Sequence, residues 1–210
     1  LTTMNYKSVN FIDYWNKMKD IKILVSIDEI DADRLYYIRY PAKLDNIINN
    51  IRTLNENFKD LKHRWMATPT WNLMNAHRIK NFVEFFKNNN LLPSAFYLGA
   101  EWESDIHNII LLYPKHLSIS SAPPEWKQFL KAKFDEYKEW YLDEIIPLKA
   151  KIVQDFSRNV FLENIERFYN SLAEVNTVDL VKQKDWWHRL DTARNTNFTK
   201  TFPELNWIIP

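Results

Sequence analysis

The stretch IKILVSIDEIDADRLYYIRYP, residues 21–41, constrains the fold more than any other part of the chain. It opens on a β-branched run, turns at a group of acids, crosses a short aromatic segment and reaches a proline. Ile21, Ile23, Val25 and Ile27 alternate with Lys22, Leu24, Ser26 and Asp28, so a strand here has two distinct faces. Pro41 suits the first turn of a following helix. In that helix Leu44, Ile47, Ile48, Ile51, Leu54 and Phe58 recur at spacings of three and four, the cleanest amphipathic pattern in the sequence.

The same rhythm returns downstream. Residues His63–Trp71 predict the next strand, with Pro69 near its end, where a missing N–H does least harm. Asn75 is predicted to cap a helix that carries Ile79, Phe82, Val83 and Phe86 and stops at Asn88, Asn89 and Asn90. Ala95–Leu98 and Asn108–Tyr113 predict two short strands around an acidic loop. Upstream, Leu1–Thr3 suggests a strand end, and Ser8 a cap for a helix bearing Val9, Phe11, Ile12, Trp15 and Met18. Four strand–helix alternations predict an α/β fold: parallel strands with crossover helices, in an open sheet or a partial (β/α) barrel.

From Pro123 the pattern becomes helical. Trp126, Phe129, Leu130, Phe134, Tyr137 and Tyr141 form one stripe. Pro147 is predicted to start a second helix through Ile152, Val153 and Phe156. Phe161, Ile165, Phe168 and Leu172 follow, then Val178, Val181, Trp186 and Leu190. The expected organisation is therefore an α/β part over 1–122 and a helical C-terminal region over 123–210.

Composition removes several function classes. A single glycine, Gly99, stands in 210 residues, and phosphate-cradling loops need several, so a P-loop or a dinucleotide fingerprint is excluded. Lys and Arg total 28 against 27 Asp and Glu, too balanced for a duplex nucleic-acid partner to be expected. Cysteine is absent, which excludes disulfides, thiolate metal sites and a cysteine nucleophile, and is compatible with a reducing, cytoplasmic location. No apolar run is long enough for a membrane span. The opening LTTMNYKS lacks the basic-then-apolar order of a signal peptide. It also begins on Leu1 rather than Met, as a processed protein or a piece of a longer one would.

In parallel α/β folds the chemistry gathers at the carboxyl ends of the strands. Ser26 and Asp28 fall at such an end, where a hydroxyl and a carboxylate two residues apart can hydrogen-bond a ribose or an amine. Arg39 follows and can take a ligand carboxylate in a two-pronged contact. The same three residues can instead solvate a turn.

The motifs resemble those of radical S-adenosylmethionine enzymes, in particular the group with a shortened auxiliary ("twitch") C-terminal domain. SIDE followed by an acidic turn and YIRYP is similar to that family's fourth strand. LTTMNYKS resembles the third strand end, L-T-T-N-G-T, from which Met4 and Asn5 depart. TPTWNLMNAHRIKNFVEFF resembles the fifth strand and helix, NIILLYPKHLSISSAPPEWKQ the sixth strand, and DTARNTNFTKTFPEL the closing tail. The resemblance spans nearly the whole chain, each motif being short and their order carrying the signal.

The resemblance implies a partial (β/α) barrel, of which 1–122 would be the C-terminal half, followed by a twitch-like region over 123–210. It implies S-adenosylmethionine as cofactor, cleaved reductively at a 4Fe-4S cluster to give a radical that abstracts hydrogen from a peptide, protein or small-molecule substrate. Ser26 and Asp28 would line the S-adenosylmethionine pocket, Arg39 would meet its carboxylate, and Thr70 or Asn72 would face the substrate side. The family holds its cluster on three cysteines in C-x-x-x-C-x-x-C, and clusters of this kind need thiolates. Those cysteines and the glycine-rich second strand are expected upstream of Leu1. This chain alone is then expected to be inactive, to hold no cluster and to self-associate through open edges. Glu29 stands where the family has glycine.

Other features allow other readings. Asp28, Glu29, Asp31 and Asp33 can hold a hard cation or form a solvated turn. His63, His77, His107, His116 and His188 show no metal-ligand spacing. Glu101, Glu103 and Asp105 can supply a general acid or base, or a charged surface loop. Trp186, Trp187, His188, Arg189 and Arg194 can stack on a single nucleic-acid strand or pack in the core. Asp191 and Arg194 suit an i, i+3 helix ion pair. Phe202 and Leu205 are expected to tuck back against the body. The alternatives to the enzyme are thus a non-catalytic α/β protein-interaction module and a single-strand nucleic-acid binder.

Overall fold

The computed structural model describes residues 4–6, 8–60, 62–98, 108–175 and 180–208. Leu1–Thr3, Gly99, Glu101, Glu103, Asp105, His107 and Val178 lie outside them. The chain starts as a small antiparallel pair, β1 (Asn5–Tyr6) with β2 (Val9–Asn10). Helix α1 (Phe11–Trp15) follows, shorter than the apolar spacing suggested. Asn10, not Ser8, caps it: the Asn10 Oδ1 accepts the Ile12 N–H at 2.8 Å.

Strand β3 (Ile21–Val25) runs parallel to β4 (His63–Ala67), with Ile21 opposite His63 and Val25 opposite Ala67. Between them lie α2 (Ala32–Ile38) and α3 (Leu44–Asn57). Helix α3 buries Ile47, Ile48, Ile51 and Leu54, as its periodicity requires. Pro41 does not start it; a cis Tyr40–Pro41 bond precedes the helix, which begins at Leu44. The predicted strand from His63 to Trp71 divides in two. β4 pairs with β3, then β5 (Thr70–Trp71) pairs in parallel with β6 (Ile109–Ile110). Pro69 marks the break, since it has no N–H to continue the ladder; its carbonyl still accepts the Ile109 N–H at 3.1 Å. β3 and β4 thus form one parallel pair, and β5 and β6 a second. That is mixed α/β architecture built on two short parallel pairs.

A short 3₁₀ turn, Ala76–Arg78, leads into α4 (Ile79–Asn88), which buries Ile79, Phe82, Val83 and Phe86. The chain leaves it with Asn90 at φ 54°, a left-handed conformation that asparagine tolerates. Ser94–Leu98 is a helix, α5, not the strand that Ala95–Leu98 suggested. The pre-helical Pro93 and the 3.0 Å bond from the Phe96 N–H to the Pro93 carbonyl favour the turn over an extended run too short to be told from it by periodicity.

The helical half follows the aromatic stripe. Helix α6 (Pro124–Trp140) starts with proline at its first position and buries Leu130, Phe134 and Tyr137. Helix α7 (Gln154–Ala173) buries Phe161, Ile165, Phe168 and Leu172. Phe134 meets Phe168 at 4.9 Å between ring centroids, and Tyr141 stacks on Phe161 at 3.9 Å. Pro147 sits in a 3₁₀ turn rather than starting this helix, and Ile152 projects into solvent at 92% exposure. Helices α8 (Leu180–Arg194) and α9 (Phe198–Thr201) then return the chain to α2. One continuous apolar cluster runs from Met4 to Ile208 across the expected boundary at 122–123.

Candidate functional site

Asp28 ties the carboxyl end of β3 to the start of β5. Alternation along β3 puts Val25 and Ile27 into the core and leaves Lys22 and Leu24 exposed on the other face, Leu24 at 57%. Ser26, half-buried on that same face, has its hydroxyl 3.3 Å from that of Thr68. Asp28, two residues on, is only 4% exposed. Its Oδ1 accepts the Thr70 N–H at 2.7 Å, its Oδ2 pairs with Arg39 Nε, and its backbone carbonyl accepts from Asn75 Nδ2 at 2.8 Å. The carboxylate thus satisfies a strand-end donor and fixes a guanidinium.

Arg39 ends α2 and is about a third exposed. Only its Nε is engaged; its two terminal nitrogens have no hydrogen-bond partner among the described residues. A guanidinium held by one edge, with the other edge free, is suited to a planar anion such as a carboxylate. Thr70 stands half-buried at the start of β5. Asn72 is buried and turned inward: its Oδ1 accepts the Met74 N–H at 2.9 Å and its Nδ2 reaches the Thr70 carbonyl at 3.2 Å. Ser26, Asp28, Arg39 and Thr70 therefore gather at one edge, while Asn72 shapes the turn beneath them.

Spacing alone did not single out Asn75 or Glu29 for their roles here. Asn75 does not cap α4; its Oδ1 accepts the Asn72 N–H at 2.8 Å and its amide joins the Asp28 and Thr70 carbonyls. Glu29 is 1% exposed and turned inward. Its Oε1 accepts the Ile30 N–H at 2.8 Å and its Oε2 lies 2.9 Å from Arg78 Nε. Asp31 caps α2, accepting the Asp33 and Arg34 N–H groups, each at 3.1 Å. The acidic turn is thus divided among separate partners, and among the described residues no group of three or more His, Asp or Glu side chains is placed to hold a metal.

The tail supports the same helix from behind. Arg34 of α2 forks onto Glu204 at 2.7 and 3.0 Å, and His77 Nε2 approaches the same carboxylate at 3.2 Å. Burial alone would raise the Glu204 pKa, but the hydrogen bonds from His77 and Arg34 outweigh it and hold the carboxyl at about 2. Asp191 and Arg194 do not pair with each other. Asp191 accepts the Phe198 N–H at 2.8 Å and the Thr196 hydroxyl at 2.9 Å, capping the tail, while Arg194 donates to the Tyr37 carbonyl at 3.0 Å. Phe202 and Leu205 are fully buried, as expected. Tyr37 packs against Phe202 at 5.3 Å and Phe198 at 5.9 Å, and burial followed by the neighbouring Asp191 carboxylate raises its hydroxyl pKa. Trp187 is buried beside Phe198 at 4.2 Å, out of reach of a nucleic-acid base; Trp186 packs on His116.

No helix among the described residues is long and apolar enough to cross a membrane. No protein-family model, no curated protein and no solved structure matches the chain.

Proposed function

We propose that this chain is the C-terminal portion of a radical S-adenosylmethionine enzyme of the twitch-domain type, contributing one side of the S-adenosylmethionine site. The observation that carries the reading is Arg39: a guanidinium fixed by Asp28 at the carboxyl end of a parallel strand, with its outer edge free for a ligand carboxylate. Two further features support it. β3 and β4 run parallel, as do β5 and β6, which is the strand pairing a (β/α) barrel uses. And the tail motif packs on the helix that follows SIDE, so two separated pieces of the resemblance meet in space.

In this reading Arg39 binds the methionyl carboxylate, the half-buried Ser26 hydroxyl lies along the ligand, and Asp28 acts by holding Arg39 rather than by touching the ligand. Thr70 borders the substrate side. The residues present do not fit an iron–sulfur cluster, because the chain has no cysteine to supply a thiolate. The cluster and the radical chemistry it supports would belong to residues preceding this sequence, and this chain alone would be inactive.

The test begins with the in-frame coding sequence upstream, which should contain C-x-x-x-C-x-x-C. The protein expressed from that longer frame and loaded with iron and sulfide under anaerobic conditions should release 5′-deoxyadenosine from S-adenosylmethionine. Arg39→Gln should weaken S-adenosylmethionine binding about tenfold or more, the loss of one charge-assisted contact. A longer frame without the cysteines, or binding indifferent to Arg39, overturns the reading.

A further inference from the structure

Between β6 and α7 runs a groove of about 420 Å³. Its lining includes the apolar Ile110 and Phe168, and its helix wall presents Asn164, Arg167 and Ser171, with Glu174 just past the helix end. Three observations point to an occupant. First, β6 pairs only with β5 among the described residues. The Ile109 and Leu111 N–H groups bond to Pro69 and Trp71, so alternation turns the Ile110 and Leu112 N–H groups toward the free edge. Second, Ser171 is 5% exposed and its hydroxyl, in the lining of the groove, has no hydrogen-bond partner, a costly state for a buried polar atom. Third, β6 and the residues just after it carry exposed apolar side chains, Ile109, Leu112 and Tyr113, with no charge to discourage pairing.

A bare strand edge facing a helix across an apolar trough is the geometry of strand addition, in which main-chain bonds supply affinity and side-chain pockets supply selection. We propose that this groove binds an extended peptide segment of a partner protein, added alongside β6. Arg167 and Glu174 set its charge pattern. Arg167 lies near the end of α7 and Glu174 is the residue just past it, roughly 10 Å away at the helical rise, and neither side chain forms an ion pair among the described residues. An extended chain advances about 3.3 Å per residue, so three to four residues span that distance. The segment therefore carries an acidic side chain toward Arg167 and a basic one toward Glu174, with β-branched residues between. A second copy of this chain fits less well, because its own β6 edge, NIILLY over 108–113, brings no charge to either residue.

The test uses a fluorescein-labelled pentapeptide, acetyl-EVTVK-amide, and its reversed order, acetyl-KVTVE-amide, titrated with the full chain and followed by anisotropy. One of the two should bind saturably at micromolar to submillimolar protein. Replacing its central threonine by proline should abolish binding by removing a ladder donor. The exposed substitution Arg167→Glu, which leaves the core intact, should weaken binding about tenfold, and Ser171→Val should do the same if it folds. Absence of saturable binding by either peptide, or binding unchanged by both the proline and Arg167→Glu, overturns the proposal. So does self-association through β6 that neither peptide competes away, which would assign the edge to a second copy.

Discussion

Asp28 and Arg39 share one ion pair but not one environment. The Asp28 side chain is 5% exposed and that of Arg39 is 35% exposed. Removing either partner therefore has unequal costs. Arg39→Gln leaves a buried carboxylate short of its countercharge and should lose about 3 kcal/mol of stability. Asp28→Asn keeps an acceptor for the Thr70 N–H and leaves Arg39 to be solvated, and should lose only about 1 kcal/mol. Urea denaturation of the two variants checks the order. Glu204 makes a second residue-scale prediction. Its folded pKa, about 2, lies below its ordinary value of 4.5, so the unfolded chain binds the extra proton first as acid is added. The stabilisation is complete above about pH 4.5 and is lost as pH falls through 2. Because the group is partly exposed, the loss should be on the order of 1 kcal/mol, and Glu204→Gln should flatten stability across that window in acid titrations. The sequence allowed Asp28 and Arg39 to be picked out, since a strand end and an acidic turn are local patterns. It did not reveal that they bind each other, nor that Glu204 serves Arg34, because partners 11 and 170 residues apart are chosen by the fold.

At the level of elements, α2 is held from both ends. Asp31 caps its start, and Asp31→Ala should cost about 1 kcal/mol in thermal or chemical melts. Its far end is enclosed by the tail, where Tyr37 touches Trp187, Phe198 and Phe202. Phe202 is fully buried beneath the Arg34 guanidinium, 5.2 Å from its ring centre. Phe202→Ala should cost about 3–5 kcal/mol and release the tail, seen as faster cleavage beyond residue 190 in limited proteolysis. Helices α3, α4, α6 and α7 were legible because each repeats apolar residues at the helical period over about two turns or more. The short elements were not. Ala95–Leu98 is too brief for periodicity to separate strand from helix, and the stretch His63–Trp71 hides its division because Pro69 interrupts the ladder without interrupting the apolar run.

For the whole molecule, the β3–β4 pair buries Val25, Trp65 and Ala67, while Leu24 and Lys22 of β3 meet solvent. β3 pairs with β4 alone among the described residues, so an apolar side chain sits beside an unpaired edge. The chain made by itself should self-associate at tens of micromolar, and Leu24→Lys should shift light-scattering mass toward the monomer. The fork from Arg34 to Glu204 joins residues 170 positions apart. During synthesis α2 therefore leaves the ribosome long before its clamp exists, and cannot be locked until the tail has emerged. The segment that carries Arg39 is thus among the last to be completed, and a nascent chain halted short of residue 204 would display that segment unfastened to the proteases and chaperones around it.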